Sequence, residues 1–213
     1  MGDEQALRRF ARLALPRLGE VVIRVIAGSA KGTRLHGATG RNLRPMLDRV
    51  KESLFGLLTG RVEGERVLDL FAGIGSLGIE ALSRGASHAD FIEQHRATAR
   101  SIGENLARAH LADAGTVRVA RLPAGLAAAR GPYGLIFMDP PFRIDNRLLE
   151  GLFRLILDRG LLEEDGLLVY RHSPHASYEP PASEWSLADR RDYGDSIVSI
   201  YGRAAELCTE DDF

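Results

Sequence analysis

The chain carries one cysteine, Cys208, in 213 residues. No internal disulfide and no cysteine-built zinc site can form within one chain, and a reducing compartment suits such a sequence. No apolar run approaches the length that crosses a bilayer. An excess of one charge is missing too, since 28 Lys and Arg face 29 Asp and Glu for a net charge of -1. A global field that would gather polyanions is therefore excluded, and any nucleic-acid contact has to come from a local basic patch. What is present is 45% hydrophobic content, enough at this length for one α/β domain with a real core and a small appendage.

Leu7, Phe10, Leu13 and Leu18 recur at roughly helical spacing among Arg8, Arg9, Arg12 and Arg17, which imitates a targeting peptide. Asp3 and Glu4 argue against a transit peptide, no continuous apolar stretch supports a secretory signal, and Ala6 stands where a myristoylation signal wants Ser or Thr. Residues 1–20 are expected to be an extension outside the core, and the protein is expected in the cytoplasm. The acidic end, residues 204–213, reads as a solvated tail.

Residues 21–27 and 33–36 have strand character around a turn at 28–32. Asp48 then reads as the N-cap of a helix with Val50, Leu54, Phe55 and Leu58 on one face. Residues 21–60 thus form a small β-hairpin/helix appendage. From residue 66 strands and helices alternate. Strands are expected at 67–71, 89–93, 116–120, 134–138 and 166–170, with helices at 76–83, 97–110, 122–129 and 147–158 between them. Residues 185–193 and 196–201 form a final hairpin around Gly194-Asp195. Residues 61–203 therefore predict an α/β fold, a Rossmann-like, seven-stranded, mostly parallel sheet closed by an antiparallel hairpin.

Asp69-Leu70-Phe71-Ala72-Gly73-Ile74-Gly75-Ser76-Leu77-Gly78 follows the first of these strands and opens a helix. Gly73 and Gly75 permit a tight turn with close ligand approach, and Gly78 lets the helix lie near the sheet. Such a loop fits NAD, FAD and S-adenosylmethionine (SAM) equally. Glu93 ends the next strand, about twenty residues on, where an acid can accept hydrogen bonds from a ribose. The bland reading is a glycine turn and a surface glutamate. Asp69, Phe71, Ala72, Gly73, Gly75 and Glu93 are the candidate cofactor-binding residues.

Asp139-Pro140-Pro141-Phe142 stands at the carboxyl end of a central strand, where open α/β sheets bind ligands. These residue types fit one chemical problem. The lone pair of an arylamine is delocalised into its ring, so the nitrogen attacks poorly. Acceptors placed against its N–H groups favour a pyramidal nitrogen with its lone pair aimed at a sulfonium methyl. Asp139 offers a carboxylate and Pro140 a carbonyl. Pro140 and Pro141 restrict the backbone that holds them, and Phe142 offers a flat face for a base. A proline-rich turn ending a strand is the competing interpretation.

This combination resembles amino-methyltransferases with a D/N-P-P-Y/F motif on a Rossmann-like fold. Arg24-Val25-Ile26-Ala27-Gly28, Lys31-Gly32, Arg44-Pro45, Asp48-Arg49-Val50-Lys51-Glu52-Ser53-Leu54-Phe55, Asp69-Leu70-Phe71-Ala72-Gly73 and Glu80-Ala81-Leu82-Ser83-Arg84-Gly85-Ala86 are similar to the RsmD-type family. The likeness runs from about Val22 to Tyr201 and includes Tyr193-Gly194-Asp195. It implies SAM as cofactor, methylation of guanine N2 in bacterial 16S ribosomal RNA, and the small ribosomal subunit or its RNA as partner. It also implies Tyr193 as a substrate contact. There are departures. Met46 replaces a Thr after Arg44-Pro45, and Arg171 replaces a usual Glu before His172-Ser173. Arg121-Leu122-Pro123 stands where an Asp usually meets the adenine, which leaves apolar contact from Leu122.

Arg24, Lys31, Arg34, Arg41, Arg44, Arg49 and Lys51 crowd the N-terminal segment, with Asp48 the only acid between Arg24 and Lys51. A patch of this kind suits phosphate contacts, and the segment is expected to carry little core. A solvated face is the alternative. His172 and Ser173 are placed either at a substrate rim or in an inert loop. His172-Ser173-Pro174-His175 imitates ligand spacing, but Pro174 prevents a regular helix and no third ligand is evident, so no metal is expected. Other classes stay open: an amino-methyltransferase of DNA adenine or protein glutamine, a non-catalytic RNA-binding protein, or an NAD-dependent oxidoreductase. The last lacks a Tyr-x-x-x-Lys stretch.

Overall fold

A computed structural model describes residues 23–37, 46, 48–176 and 178–204. Residues 1–20, Arg41, Arg44 and the tail from 205 onward lie outside the described residues.

A hairpin of two short strands, β1 (Ile23–Arg24) and β2 (Arg34–Leu35), leads to helix α1 (Asp48–Leu57). The main sheet has seven strands: β3 (Arg66–Asp69), β4 (His88–Glu93), β5 (Gly115–Val119), β6 (Tyr133–Met138), β7 (Leu162–His172), β8 (Trp185–Asp192) and β9 (Ile197–Arg203). Their order is β5-β4-β3-β6-β7-β9-β8. The first five of these in the order pair in parallel, and β9 lies antiparallel between β7 and β8. Helices α2 (Ser76–Ser83), α3 (Arg96–Arg108), the single-turn α4 (Ala124–Ala127) and α5 (Asn146–Asp158) connect the strands.

Alternation along the central strand β6 feeds two cores. Leu135 and Phe137 join the apolar cluster of α1, α2 and α3, while Ile136 and Met138 join that of α4 and α5. All six residues of β6 are buried, as a two-sided strand requires. The chain winds outward from β3 through β5, returns, and continues from β6 in the other direction. The order therefore reverses between β3 and β6, and a crevice opens at their carboxyl ends.

Three expectations change in detail. The strand expected at 166–170 is the longer β7, because it pairs with β6 on one side and β9 on the other. The helix expected at 122–129 shrinks to one turn behind Pro123. Asp48 is the first residue of α1 and its carboxylate accepts from Arg24 Nε at 2.9 Å.

The expectation of a core-poor appendage is wrong. Ile23, Val25, Leu35, Met46, Val50, Leu54, Phe55 and Leu58 are all buried in the cluster that includes Phe137, and the Phe55 and Phe137 rings lie 5.7 Å apart. Polar ties hold the same interface. Glu80, fully buried in α2, accepts from Ile26 N at 2.7 Å and Ala27 N at 3.1 Å. Ser83 Oγ donates to Ala27 O at 2.6 Å and accepts from Ala30 N at 2.9 Å. At Gly28, φ is +85° and a Cβ would lie 1.7 Å from Ser83 O, so only glycine lets the hairpin approach this closely.

Lys51, read as a phosphate contact, is corrected by the same interface. It is fully buried, donates to Arg24 O at 2.6 Å, and lies 3.3 Å from Glu80. Burial pulls its ammonium below the ordinary lysine range, with Glu80 opposing the shift. Lys51→Met should cost about 3 kcal/mol in urea denaturation, since Glu80 is left buried with only Arg84 as counter-charge. A loss under about 1 kcal/mol would show that the pair does not hold the appendage.

Candidate active site at the carboxyl edge of the sheet

The loop after β3 is fixed from the strands beside it. Leu70 N donates to Phe137 O at 3.0 Å and Ala72 N to Ile92 O at 3.1 Å. Gly73 and Gly75 have φ of +54° and +84°, and Gly75 heads α2. At Gly78 a Cβ would lie 2.3 Å from the Phe91 ring, so helix and sheet touch there as the sequence suggested. Glu93 accepts from Gly73 N at 3.0 Å and from His95 N at 2.7 Å. It thereby braces the loop, and each carboxylate oxygen keeps a further lone pair for a diol. Asp69 is 2% exposed and accepts from Gly78 N at 3.2 Å, which places it beneath the loop as a support.

The Asp-Pro-Pro-Phe turn continues β6 directly beside this loop. Asp139 Oδ1 lies 2.8 Å from Arg171 Nε, across the β6–β7 pair. The Arg171 guanidinium sits 5.6 Å from the centroid of the Phe142 ring, which is 36% exposed. Behind the turn is a cavity of about 210 Å³, lined in part by Pro140, Pro141, Phe142, Asn146, His172 and Ser173. Burial pushes the Asp139 carboxyl above the usual range while Arg171 pulls it down. Asp69 is pushed up to about 7, first by burial, with Asp139 and Glu93 adding to the rise and the Gly78 N–H opposing it.

His172 is a satisfied histidine at the end of β7. Its Nδ1 lies 3.0 Å from Ser173 O, its Nε2 3.1 Å from Ser199 Oγ, and its ring stacks on Tyr170 at 4.7 Å. Burial holds its pKa below the ordinary value, so it lines the cavity as a neutral ring. Ser173 lines it too, with Oγ accepting from His175 N at 3.2 Å. Tyr193 reaches the appendage, its hydroxyl 2.8 Å from Ser53 Oγ. Lys31, Arg34 and Arg49 are exposed, as is Arg24 beside Asp48.

Sequence reasoning misses two residues that organise the site. Arg171 stands out in the sequence only as a departure from an acid. Asn105 on α3 accepts from His36 N at 2.8 Å and donates to His36 O at 2.9 Å and Ile74 O at 3.0 Å. It ties the hairpin's exit to the glycine loop.

Comparison with known proteins resolves the class. The profile of a family described as "Conserved hypothetical protein 95" matches residues 23–202. Escherichia coli (strain K12) "Ribosomal RNA small subunit methyltransferase D" is 36% identical over 190 residues, covering 88% of this chain and 93% of that protein. The chain belongs to the RsmD-type methyltransferase family. The protein of the same name in Haemophilus influenzae is 31% identical, covering 84% of this chain and 93% of its own. A solved structure described as "Putative methyltransferase yhhF from Escherichia coli" superposes with a TM-score of 0.77 at 36% identity, covering 87% of this chain and all of that one. In fold alone, an RNA methyltransferase from Salinibacter ruber, solved with S-adenosyl-L-homocysteine, is similar at a TM-score of 0.59 and 16% identity, covering 79% of this chain and 98% of that one.

The residues of this RsmD-type enzyme fit SAM. A Cβ built at Gly73 would meet only Phe71 O, at 4.0 Å, so that face of the loop is open. The Glu93 carboxylate at the end of β4 would suit a ribose diol, and the half-buried Leu122 and Phe71 at the loops beside it would suit an adenine edge. Among the described residues no cluster of His, Cys, Asp or Glu is built to hold a metal, and no helix is long and apolar enough to cross a membrane.

The raised Asp69 pKa has a measurable consequence in the cofactor-free protein. The folded state holds its proton more tightly than the unfolded state. That contribution is fully present below about pH 4 and is lost as pH rises through about 7. The loss should reach on the order of 4 kcal/mol. Asp69→Asn keeps an acceptor for Gly78 N without the charge. It should be more stable than wild type at about pH 8, with the advantage shrinking towards about pH 5. Equal advantage at both values in urea denaturation would rule the charge out.

Proposed function

We propose that this enzyme transfers a methyl group from SAM to the exocyclic N2 amine of a guanine in small-subunit (16S) ribosomal RNA. The partner is the small subunit or its RNA, and the work is done in the cytoplasm. The observation that carries the reading is the position of Asp139. It stands at the sheet's topological switch, next to the braced glycine loop on one side and a base-sized cavity edged by Phe142 on the other. The names of the relatives from Escherichia coli and Haemophilus influenzae support ribosomal RNA as the substrate.

SAM supplies an electrophilic methyl on a positively charged sulfur. The chain supplies the geometry around it. Glu93 and the glycine loop hold the nucleoside end. Phe142 presents a face on which an extruded base stacks. Asp139 accepts one hydrogen bond from the target amine and the Pro140 carbonyl accepts the other, which turns the nitrogen lone pair out of the ring. No base is needed before attack, because the amine becomes acidic once alkylated and then loses its proton. A tritiated-SAM assay on undermethylated small subunits, total RNA and DNA tests the substrate class. Label confined to DNA or to protein would overturn the RNA reading.

Asp139→Ala should lower the single-turnover rate by roughly 10²–10³-fold, as for loss of one preorganised polar group, with SAM affinity little changed. Asp139→Asn should be milder, because an acceptor oxygen remains. A wild-type rate for Asp139→Ala would remove the motif from the chemistry.

With Lys51 buried, the phosphate-facing cations reduce to Lys31, Arg34 and Arg49 among the described residues, together with Arg24 in its ion pair. Replacing Lys31, Arg34 and Arg49 by Gln should weaken RNA binding and flatten its salt dependence. The slope should fall by about 0.7–0.9 for every phosphate that is no longer neutralised. SAM binding should persist. An unchanged slope would mark these residues as a solvated face.

A further inference from the structure

We infer that Arg171 is the positioning residue of the acceptor site, holding Asp139 and Phe142 as one unit. The inference rests on the proposed role of Asp139 towards the target amine. Arg171 is on β7, one residue beyond the Met138–Tyr170 pairing, so it stands beside Asp139 at the end of β6. Its side chain is 8% exposed and its Nε lies 2.8 Å from Asp139 Oδ1. The same guanidinium lies 5.6 Å from the centre of the Phe142 ring. One planar cation thus engages both side chains that would touch the acceptor base. Arginine suits this double task because its plane can stack while its N–H groups bind a carboxylate.

Two consequences follow. The ion pair pins Oδ1, so the carboxylate cannot rotate freely and meets the amine N–H in one orientation. The pair also opposes the rise that burial gives the Asp139 carboxyl, in a crowded acidic corner. Asp69 faces it from β3 and Glu93 lies beyond on β4, and both are acids. His172, the next residue on β7, is neutral and engaged with Ser173 and Ser199. Arg171 therefore pulls the Asp139 carboxyl down while burial works against it.

The test compares Arg171→Met and Arg171→Lys with wild type, after thermal melts confirm that each folds. The first readout needs no cofactor: a carbon-13 carboxyl NMR titration of Asp139, assigned with Asp139→Asn. Arg171→Met should move the Asp139 titration upward, and Arg171→Lys should restore it. The second readout is the single-turnover rate against pH on the RNA substrate. For Arg171→Met the rate at about pH 6 should fall relative to the rate at about pH 8 by more than in wild type, in the direction in which the titration moves. Arg171→Lys should recover the wild-type ratio of the two rates but keep weakened RNA affinity, because an ammonium does not reproduce the flat contact with Phe142. If Arg171→Met does not fold, Arg171→Gln takes its place with the same expectations. An unmoved Asp139 titration would overturn the inference, whatever the activity. A moved titration with a pH–rate profile matching wild type would keep the ion pair but sink the role of Asp139, so the two failures are separable.

Discussion

The buried carboxylate of Glu80 is the interaction on which the rest of the structure leans. It sits in the middle of α2 with no exposed surface. A charge in that position is tolerable only if donors surround it. Here they come from three directions: Ile26 and Ala27 N–H from the hairpin, Lys51 from α1, and Arg84 from the end of its own helix. The helix it occupies begins at Gly75, the end of the cofactor loop. The appendage and the loop are thus fastened to opposite parts of one short rigid rod. The Asn105 bridge between His36 and Ile74 ties them a second time. The appendage and the glycine loop cannot shift independently under those constraints.

The sheet then gathers negative charge where a cation is wanted. Asp69, Glu93 and Asp139 end three strands at one edge. Asp139 and Glu93 add to the burial that pushes Asp69 so far up. Such a corner favours a positively charged ligand over a neutral one, and a sulfonium loses its charge when its methyl leaves. Arg171 sits at the far side of this corner, its Nε 2.8 Å from Asp139 Oδ1.

Much of this was legible in the residues. The βαβ alternation, the Gly78 contact with the sheet and the position of Asp139 at a strand end follow from period, glycine spacing and apolar runs. Lys51 could have been found as well. Val50, Lys51, Leu54, Phe55 and Leu58 fall on one helical face, and all five are buried. Its charge hid it, because a lysine in a basic segment invites a surface reading. Arg171 was harder. Nothing local pairs it with Asp139, and the contact exists only because β7 lies next to β6 in a particular register. A one-residue slip would have turned Arg171 to the other face. The expected helix at 122–129 failed for a simpler reason. Gly125 lowers helix propensity inside the segment, and Gly131-Pro132 shortly after it prevent extension.

The near-neutral net charge conceals an uneven distribution of acids and bases. At the edge opposite the site, Glu63, Glu65, Glu163, Glu164, Asp165 and Glu184 gather around the starts of β3, β7 and β8. They are close enough that Glu163 and Asp165 help burial to raise the Glu65 carboxyl. Arg61 and Arg66, which share that edge, are each drawn towards an acid, Asp165 and Asp90. On the appendage the described cations Lys31, Arg34 and Arg49 are exposed. An exposed cation of the appendage acts on a phosphate over distances of roughly 10 Å at ordinary salt, so its effect is local. A protein of this composition can therefore carry basic side chains where a polyanion would meet them without being basic overall.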